Sequence, residues 1–295
     1  MPSIETQTLT IQYRQAGDGN IPLVFLHGNY ASSRWWLPQM ERLPQDVQAY
    51  APDLRGCGTS QGKTLPLKRT NGQLTIQDLA NDLAEFITVL NLKNPILVGH
   101  SLGGVVATEY SLRYPDTVRG LLLEDTGPPK GLPLSAFHGP FLLPLEFGSK
   151  LLMRNALRLA GLPRRGMLAK ALVEDALAAS SGQYMDFGIA VSRWNVESEL
   201  PSLDLPVLLV WGGKDRIMSP RIAQHYLQTL PQADLLIIPD AGHSPHLERP
   251  NAFASILKQF VDQCASAEST SEFDEISPRN LRNRIIRWMR MTLFD

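Results

Sequence analysis

The chain has 295 residues, with 28 Lys and Arg against 29 Asp and Glu and 43% hydrophobic side chains, the composition of an ordinary globular protein with material for a large core. A net charge of −1 gives no general basic footprint for phosphate backbones, which argues against nucleic acid as a partner. The three longest uncharged runs, 19–33, 94–108 and 131–145, reach only fifteen residues and are broken by Gly or Pro, too short to span a bilayer.

The opening MPSIETQTLTIQY lacks the basic start and apolar stretch of an export signal, so a cytoplasmic location is expected. Two cysteines, Cys57 and Cys264, suggest neither a disulfide framework nor a metal cage. An alternating segment, Thr6 to Gln15, then AGDGN at 16–20 and the apolar run Pro22 to Leu26 predict a hairpin feeding a central strand. A helix over 35–43 and a strand over 47–52 follow. The next helix, 75–90, carries Thr75 and Asp78 at capping-box spacing. PILVGH (95–100) and VRGLLLED (118–125) read as strands buried on both faces, separated by a helix over 102–114. PVLLVWGG (206–213), a helix over 220–230, DLLIIP (234–239) and a helix over 251–263 repeat the alternation. Together they predict an α/β fold with one open, mostly parallel, doubly wound sheet.

Between residues 127 and 203 the rhythm changes to clustered prolines and then Leu, Ala and Met at helical spacing. A segment that long is no simple loop. It predicts a helical cap inserted between two halves of the core, 1–126 and 204–264. Residues 265–277 hold four acids and no base, whereas 278–295 hold five arginines and one acid. The near-zero total therefore conceals a polarised tail, 265–295, whose basic end is amphipathic on a helix and suits an anionic membrane surface or a protein partner; packing on its own domain or a disordered end stays open.

The strongest local signal is GHSLGG, Gly99 to Gly104, between a strand and a helix. A serine on so sharp a turn needs glycine neighbours, here Gly99 and Gly103, and leaves the amide of Leu102 at an unpaired helix start. An N-cap serine is the structural alternative. A serine nucleophile needs a base, and among six histidines His243, after the strand DLLIIP, lies at the matching sheet edge. His246 is the lesser candidate base, and a metal pair of His243 with His246 lacks a completing ligand set. The orienting acid is Asp215, after PVLLVWGG, or its rival Asp125, after LLLE. HGNYASS at 27–33 offers the amide of Asn29 as a second oxyanion donor. His27 then props the loop, His100 packs beside the turn, and Asp53 with Arg55 form a structural ion pair.

Taken jointly, HG at 27–28, DLRGCGTS, GHSLGG, the GGKD ending at Asp215 and GH at 242–243 resemble the α/β-hydrolase fold superfamily from about residue 6 to 264. The resemblance implies a cofactor-free hydrolase with a helical cap and the triad Ser101, Asp215 and His243. The HGN start also resembles haloalkane dehalogenases, but those use an aspartate nucleophile where this chain has Ser101, so halide and epoxide chemistry are demoted. What remains is attack on a carbonyl of a small-molecule substrate: an ester, lactone or thioester, with carbon–carbon hydrolysis and perhydrolase activity as relatives. A small-molecule receptor on the same fold is the alternative from another class. Trp35, Trp36, Phe137, Phe141, Phe147, Met153, Met185, Phe187 and Trp194 are candidates for a hydrophobic pocket or for plain packing of the cap.

Overall fold

The computed structural model describes residues 1–58, 60–62, 74–137, 144, 147–163, 166–178 and 181–270. Among the described residues nine strands make one sheet: β1 Ser3–Glu5, β2 Leu9–Ala16, β3 Ile21–Leu26, β4 Val47–Pro52, β5 Gln61–Gly62, β6 Ile96–His100, β7 Gly120–Glu124, β8 Val207–Gly212 and β9 Ala233–Ile238. Their order is β1-β2-β4-β3-β6-β7-β8-β9, with β5 beside β2. All pairings from β4 to β9 are parallel, and β1, β2 and β5 add an antiparallel edge.

The expected hairpin between β2 and β3 is not formed, because β4 lies between them and pairs antiparallel with β2 and parallel with β3. Gly17 and Gly19 serve a different purpose from a tight turn. A Cβ on Gly17, already at φ +77, would stand 2.3 Å from the Val47 carbonyl oxygen, and one on Gly19 would stand 2.0 Å from the Asp46 carbonyl carbon. The two glycines let the entering chain cross directly over the start of β4.

The central strands are apolar at nearly every position because both faces are covered. Val24, Leu26, Leu97, Leu121, Leu123 and Leu209 face one layer with helices Ile76–Val89 and Leu102–Arg113. Leu23, Phe25, Ile96, Val98, Leu122 and Val210 face the other, with Trp36 and with Phe253, Leu257 and Phe260 of helix Pro250–Thr270. Thr75 caps its helix reciprocally with Asp78. The predicted helix over 35–43 is instead a 3-10 turn, Ser33–Trp36, and one α-turn, Leu37–Met40. The last helix outruns its predicted end and reaches Thr270, anchored by Cys264, which is buried against Gly120.

From 127 to 203 the described residues form helices Lys150–Leu159, Met167–Ala178 and Ser181–Arg193 and contain no strand. The first two pack with Tyr30, Ala31, Trp35 and Leu247 into one cluster through Met153, Leu157, Leu172 and Val173. The third divides: Tyr184 joins that cluster, stacked on Tyr30, whereas Phe187, Ala190 and Val191, followed by Trp194, join the main core. The basic segment 278–295 lies outside the described residues.

Candidate active site

β6 ends at His100 and a helix begins at Leu102, so the single residue between them makes the whole turn. Ser101 has φ 52 and ψ −116, a conformation that costs an L-residue about 1–3 kcal/mol and persists only when its surroundings enforce it. Here the Ser101 amide donates to the Glu124 carbonyl at 2.9 Å. A Cβ on Gly99 would stand 2.5 Å from the Gly103 oxygen, and one on Gly103 2.2 Å from the Leu26 oxygen. Strand, turn and helix thus pass too closely for any side chain at either glycine.

The loop after β3 folds over this turn. A Cβ on Gly28 would lie 2.9 Å from His100 Nδ1 and 3.2 Å from Ser101 Cβ, which puts the Gly28–Asn29 backbone against the serine. His27 holds the loop: its Nε2 accepts from the Leu54 amide at 3.0 Å and its Nδ1 donates to the Gly28 carbonyl at 2.8 Å. Burial lowers its pKa and keeps that ring neutral. Among the described residues no acceptor takes the N–H of Asn29 or of Leu102. Asp53 accepts from the Ser33 amide at 2.7 Å, whereas Arg55 pairs with Asp82. The expected Asp53–Arg55 pair is replaced by these two links, because Arg55 reaches the helix beneath the loop.

His243 and Asp215 stand on the loops that follow β9 and β8. Asp215 Oδ2 accepts from His243 Nδ1 at 2.8 Å, and Asp215 Oδ1 accepts from the Ile217 and Met218 amides at 2.7 and 3.0 Å. Burial pushes the Asp215 carboxyl up, but the bond and charge of His243 and the two amides outweigh it and hold it below the usual carboxylate range. Asp125, at φ 41, lies behind it and accepts from the Gly212 amide at 3.0 Å. Burial, together with the neighbouring Asp215 and Glu124 charges, pushes Asp125 well above the carboxylate range. It is therefore a neutral carboxyl able to donate to the Asp215 carboxylate. Asp125, Asp215 and His243 offer ligand atoms within 4.8 Å of one another, but Asp215 and His243 Nδ1 already satisfy each other, a poor basis for a metal site.

A second buried set lies beneath His243, and the sequence did not disclose it. Glu124 Oε1 accepts from the His246 amide at 2.8 Å and lies 3.0 Å from His246 Nδ1. His100 Nε2 meets the His243 carbonyl at 2.7 Å. Burial holds His100 and His246 near pKa 3, hence neutral, and raises Glu124 to about 7. These rings support the His243 loop from below. The available signal was the acid pair Glu124-Asp125 and the repeated histidine in DAGHSPHLERP, which spacing alone cannot connect.

The aromatic candidates separate by environment. Trp36 stacks on Phe25 at 4.6 Å and on His246 at 4.3 Å, inside the core. Trp194 donates through Nε1 to Glu109 at 2.9 Å, and Phe187 lies in the same core cluster. These three are packing residues. Trp35, by contrast, sits 6.1 Å from the His100 ring and joins the cluster formed with the inserted helices. Phe147 is 72% exposed and lines no interior. Only the backbone of Phe137 is described, in the 3-10 turn Leu134–Phe137, and Phe141 lies outside the described residues.

The inserted helices are tied to the histidine loop. Ser244 Oγ donates to the Ala160 carbonyl, just past the helix Lys150–Leu159, and Glu248 accepts from the Gly242 and Ser244 amides. Gly161, at φ +87, would carry its Cβ 2.6 Å from Glu248 Oε1, so this corner requires glycine.

The sequence model described as "Alpha/beta hydrolase family" matches residues 23–256. The chain belongs to that family. A pimeloyl-[acyl-carrier protein] methyl ester esterase of Neisseria meningitidis is 30% identical over 265 residues, covering 85% of this chain and 80% of the relative. Among solved structures, Est816, an N-acyl homoserine lactone degrading enzyme, is 26% identical with a TM-score of 0.71 and covers 88% of this chain and all of its own. The enol-lactonase of Burkholderia xenovorans LB400, at 18% identity, TM-score 0.76 and coverage of 88% and 100%, is similar in fold. No helix among the described residues is long and apolar enough to cross a membrane.

Proposed function

We propose that the protein is a serine hydrolase that cleaves an ester, lactone or thioester through an acyl-enzyme. The observation that carries the reading is the 2.8 Å His243–Asp215 bond at the same sheet edge as a serine held at φ 52. Ser101 Oγ attacks the carbonyl carbon while His243 Nε2 takes its proton. Asp215, accepting from Nδ1, fixes the tautomer that leaves Nε2 free to do so and balances the imidazolium that forms. The Asn29 and Leu102 N–H groups meet the developing oxyanion. The intermediate collapses, the carbon–oxygen or carbon–sulfur bond breaks, and His243 gives its proton to the departing group. Water then attacks the acyl carbon, passing a proton to His243, and the acid leaves as Ser101 Oγ recovers that proton.

The relatives support this chemical class, since they include a methyl ester esterase and a lactone-degrading enzyme. The apolar cluster of Trp35 and Tyr30 with the cap supports a substrate with a hydrophobic acyl or alcohol part. A panel of p-nitrophenyl esters, lactones, thioesters and dienones against wild type and Ser101→Ala tests the reading. Turnover should fall on the order of a millionfold in the variant. Undiminished hydrolysis by purified Ser101→Ala would overturn the mechanism.

A further inference from the structure

The helix Lys150–Leu159 buries Met153, Ala156 and Leu157 against the cap, which ordinarily leaves the opposite side polar. Here it does not. Leu151 is 68% exposed, Leu152 43% and Leu159 45%, and Phe147, just before the helix, is 72% exposed. Met167, which opens the next cap helix, is 91% exposed. At helical spacing Lys150, Arg154 and Arg158 form a stripe beside these leucines, each four residues from the next.

The charge pattern is as one-sided as the apolar one. From Phe147 to Val173 there are six bases, Lys150, Arg154, Arg158, Arg164, Arg165 and Lys170, and no acid. The whole chain carries −1, so the remainder is net acidic, and with 278–295 this is one of two basic concentrations in the chain. Among the described residues no carboxylate pairs with Lys150, Arg154 or Arg158; Arg158 reaches only Asn155. A merely solvated helix face would interleave both signs and would not present a run of exposed leucines. Large apolar side chains beside unpaired cations on one surface match the boundary of an anionic bilayer, where apolar groups enter the acyl region and cations meet the headgroups.

We propose that the outer face of this cap helix, with Phe147, docks the protein on an anionic lipid surface. The site lies on the body of the protein, separate from the basic segment 278–295, and does not depend on which carbonyl compound is cleaved. The test is co-sedimentation of the full chain with vesicles of phosphatidylcholine alone or of equimolar phosphatidylcholine and phosphatidylglycerol. Three full-length variants accompany it: Phe147→Ser with Leu151→Ser and Leu159→Ser; Lys150→Gln with Arg154→Gln and Arg158→Gln; and Arg282, Arg284, Arg287 and Arg290 all changed to Gln. Wild type should bind the phosphatidylglycerol vesicles and not the others, each cap variant should lose about tenfold or more in partitioning, and the tail variant should keep the cap-dependent share. Unchanged melting temperature and soluble-ester hydrolysis in the cap variants establish that the fold is intact. Cap variants that sediment like wild type, or a wild type that ignores both vesicles, would overturn the proposal. So would a cap triple-serine variant whose only effect is to turn a dimer into a monomer on size exclusion, since the face would then belong to a second copy.

Discussion

Asp215 and Asp125 both follow strands at the same sheet edge, and replacing each by asparagine separates their roles. In Asp215→Asn the side-chain oxygen stays with the Ile217 and Met218 amides, which bond Oδ1 at 2.7 and 3.0 Å. The new NH2 group must then face His243 Nδ1, where the carboxylate accepts at 2.8 Å. It donates, so the imidazole proton moves to Nε2, and the base can no longer take a proton from Ser101. The expected loss is about 10⁴-fold in kcat, equivalent to about 5 kcal/mol of transition-state stabilisation. Asp125→Asn differs. Its oxygen keeps the Gly212 amide at 3.0 Å, and its NH2 can donate towards Asp215 as a neutral carboxyl could. Activity should stay within about tenfold of wild type, the range left to a residue that only supports geometry. Steady-state hydrolysis of a short-chain p-nitrophenyl ester, with thermal melts to confirm folding, measures both. A near-normal Asp215→Asn beside a crippled Asp125→Asn would refute the reasoning and transfer the orienting role to Asp125.

Gly28→Ala places a methyl 2.9 Å from His100 Nδ1 and 3.2 Å from Ser101 Cβ; kcat should drop about a hundredfold through a displaced oxyanion loop, read beside an unchanged urea midpoint. Gly103→Ala drives a methyl to 2.2 Å from the Leu26 carbonyl and should destabilise by about 3 kcal/mol or more, measured by urea unfolding. Stability should also fall in mild acid. His100 and His246, held near 3 against an ordinary 6.5, contribute stability present above pH 6.5 and lost as pH falls. Glu124, raised from 4.5 to about 7, has the opposite sign, contributing below 4.5 and losing that contribution as pH rises through 7. Between pH 4.5 and 6.5 Asp125, raised like Glu124, joins its side, and the three histidines, His27 included, outweigh the two carboxyls by one proton. Unfolding free energy should thus decline by about 1 kcal/mol or more per unit of acidification; urea titrations showing a flat profile would contradict the burial of these rings.

The elements around the serine were legible because their signals are local. A continuous apolar β6 and the glycines at 99 and 103 each identify themselves within a few residues. Long-range partnering was not local, and there sequence reading failed. Nothing in AGDGN distinguishes a hairpin from a chain that crosses over β4, since both need glycine. Trp35 and Trp36 are adjacent and alike in sequence, yet one borders the cap and the other stacks in the core. Likewise the choice between Asp215 and Asp125 turns on which carboxylate meets His243, a consequence of how the loops after β7 and β8 are held. The Glu124–His246 contact joins residues 122 apart, beyond any periodicity.

The Ser244–Ala160 bond bears on how this enzyme could be re-engineered. Chimeras that exchange the whole insertion at its ends, near 127 and 203, would carry away the carbonyl that Ser244 engages one residue from His243, and so would disturb the proposed base along with anything the insertion contributes to selectivity. A library that keeps the corner at 160 and 161 and varies the helices on either side would leave the support of that proposed base in place.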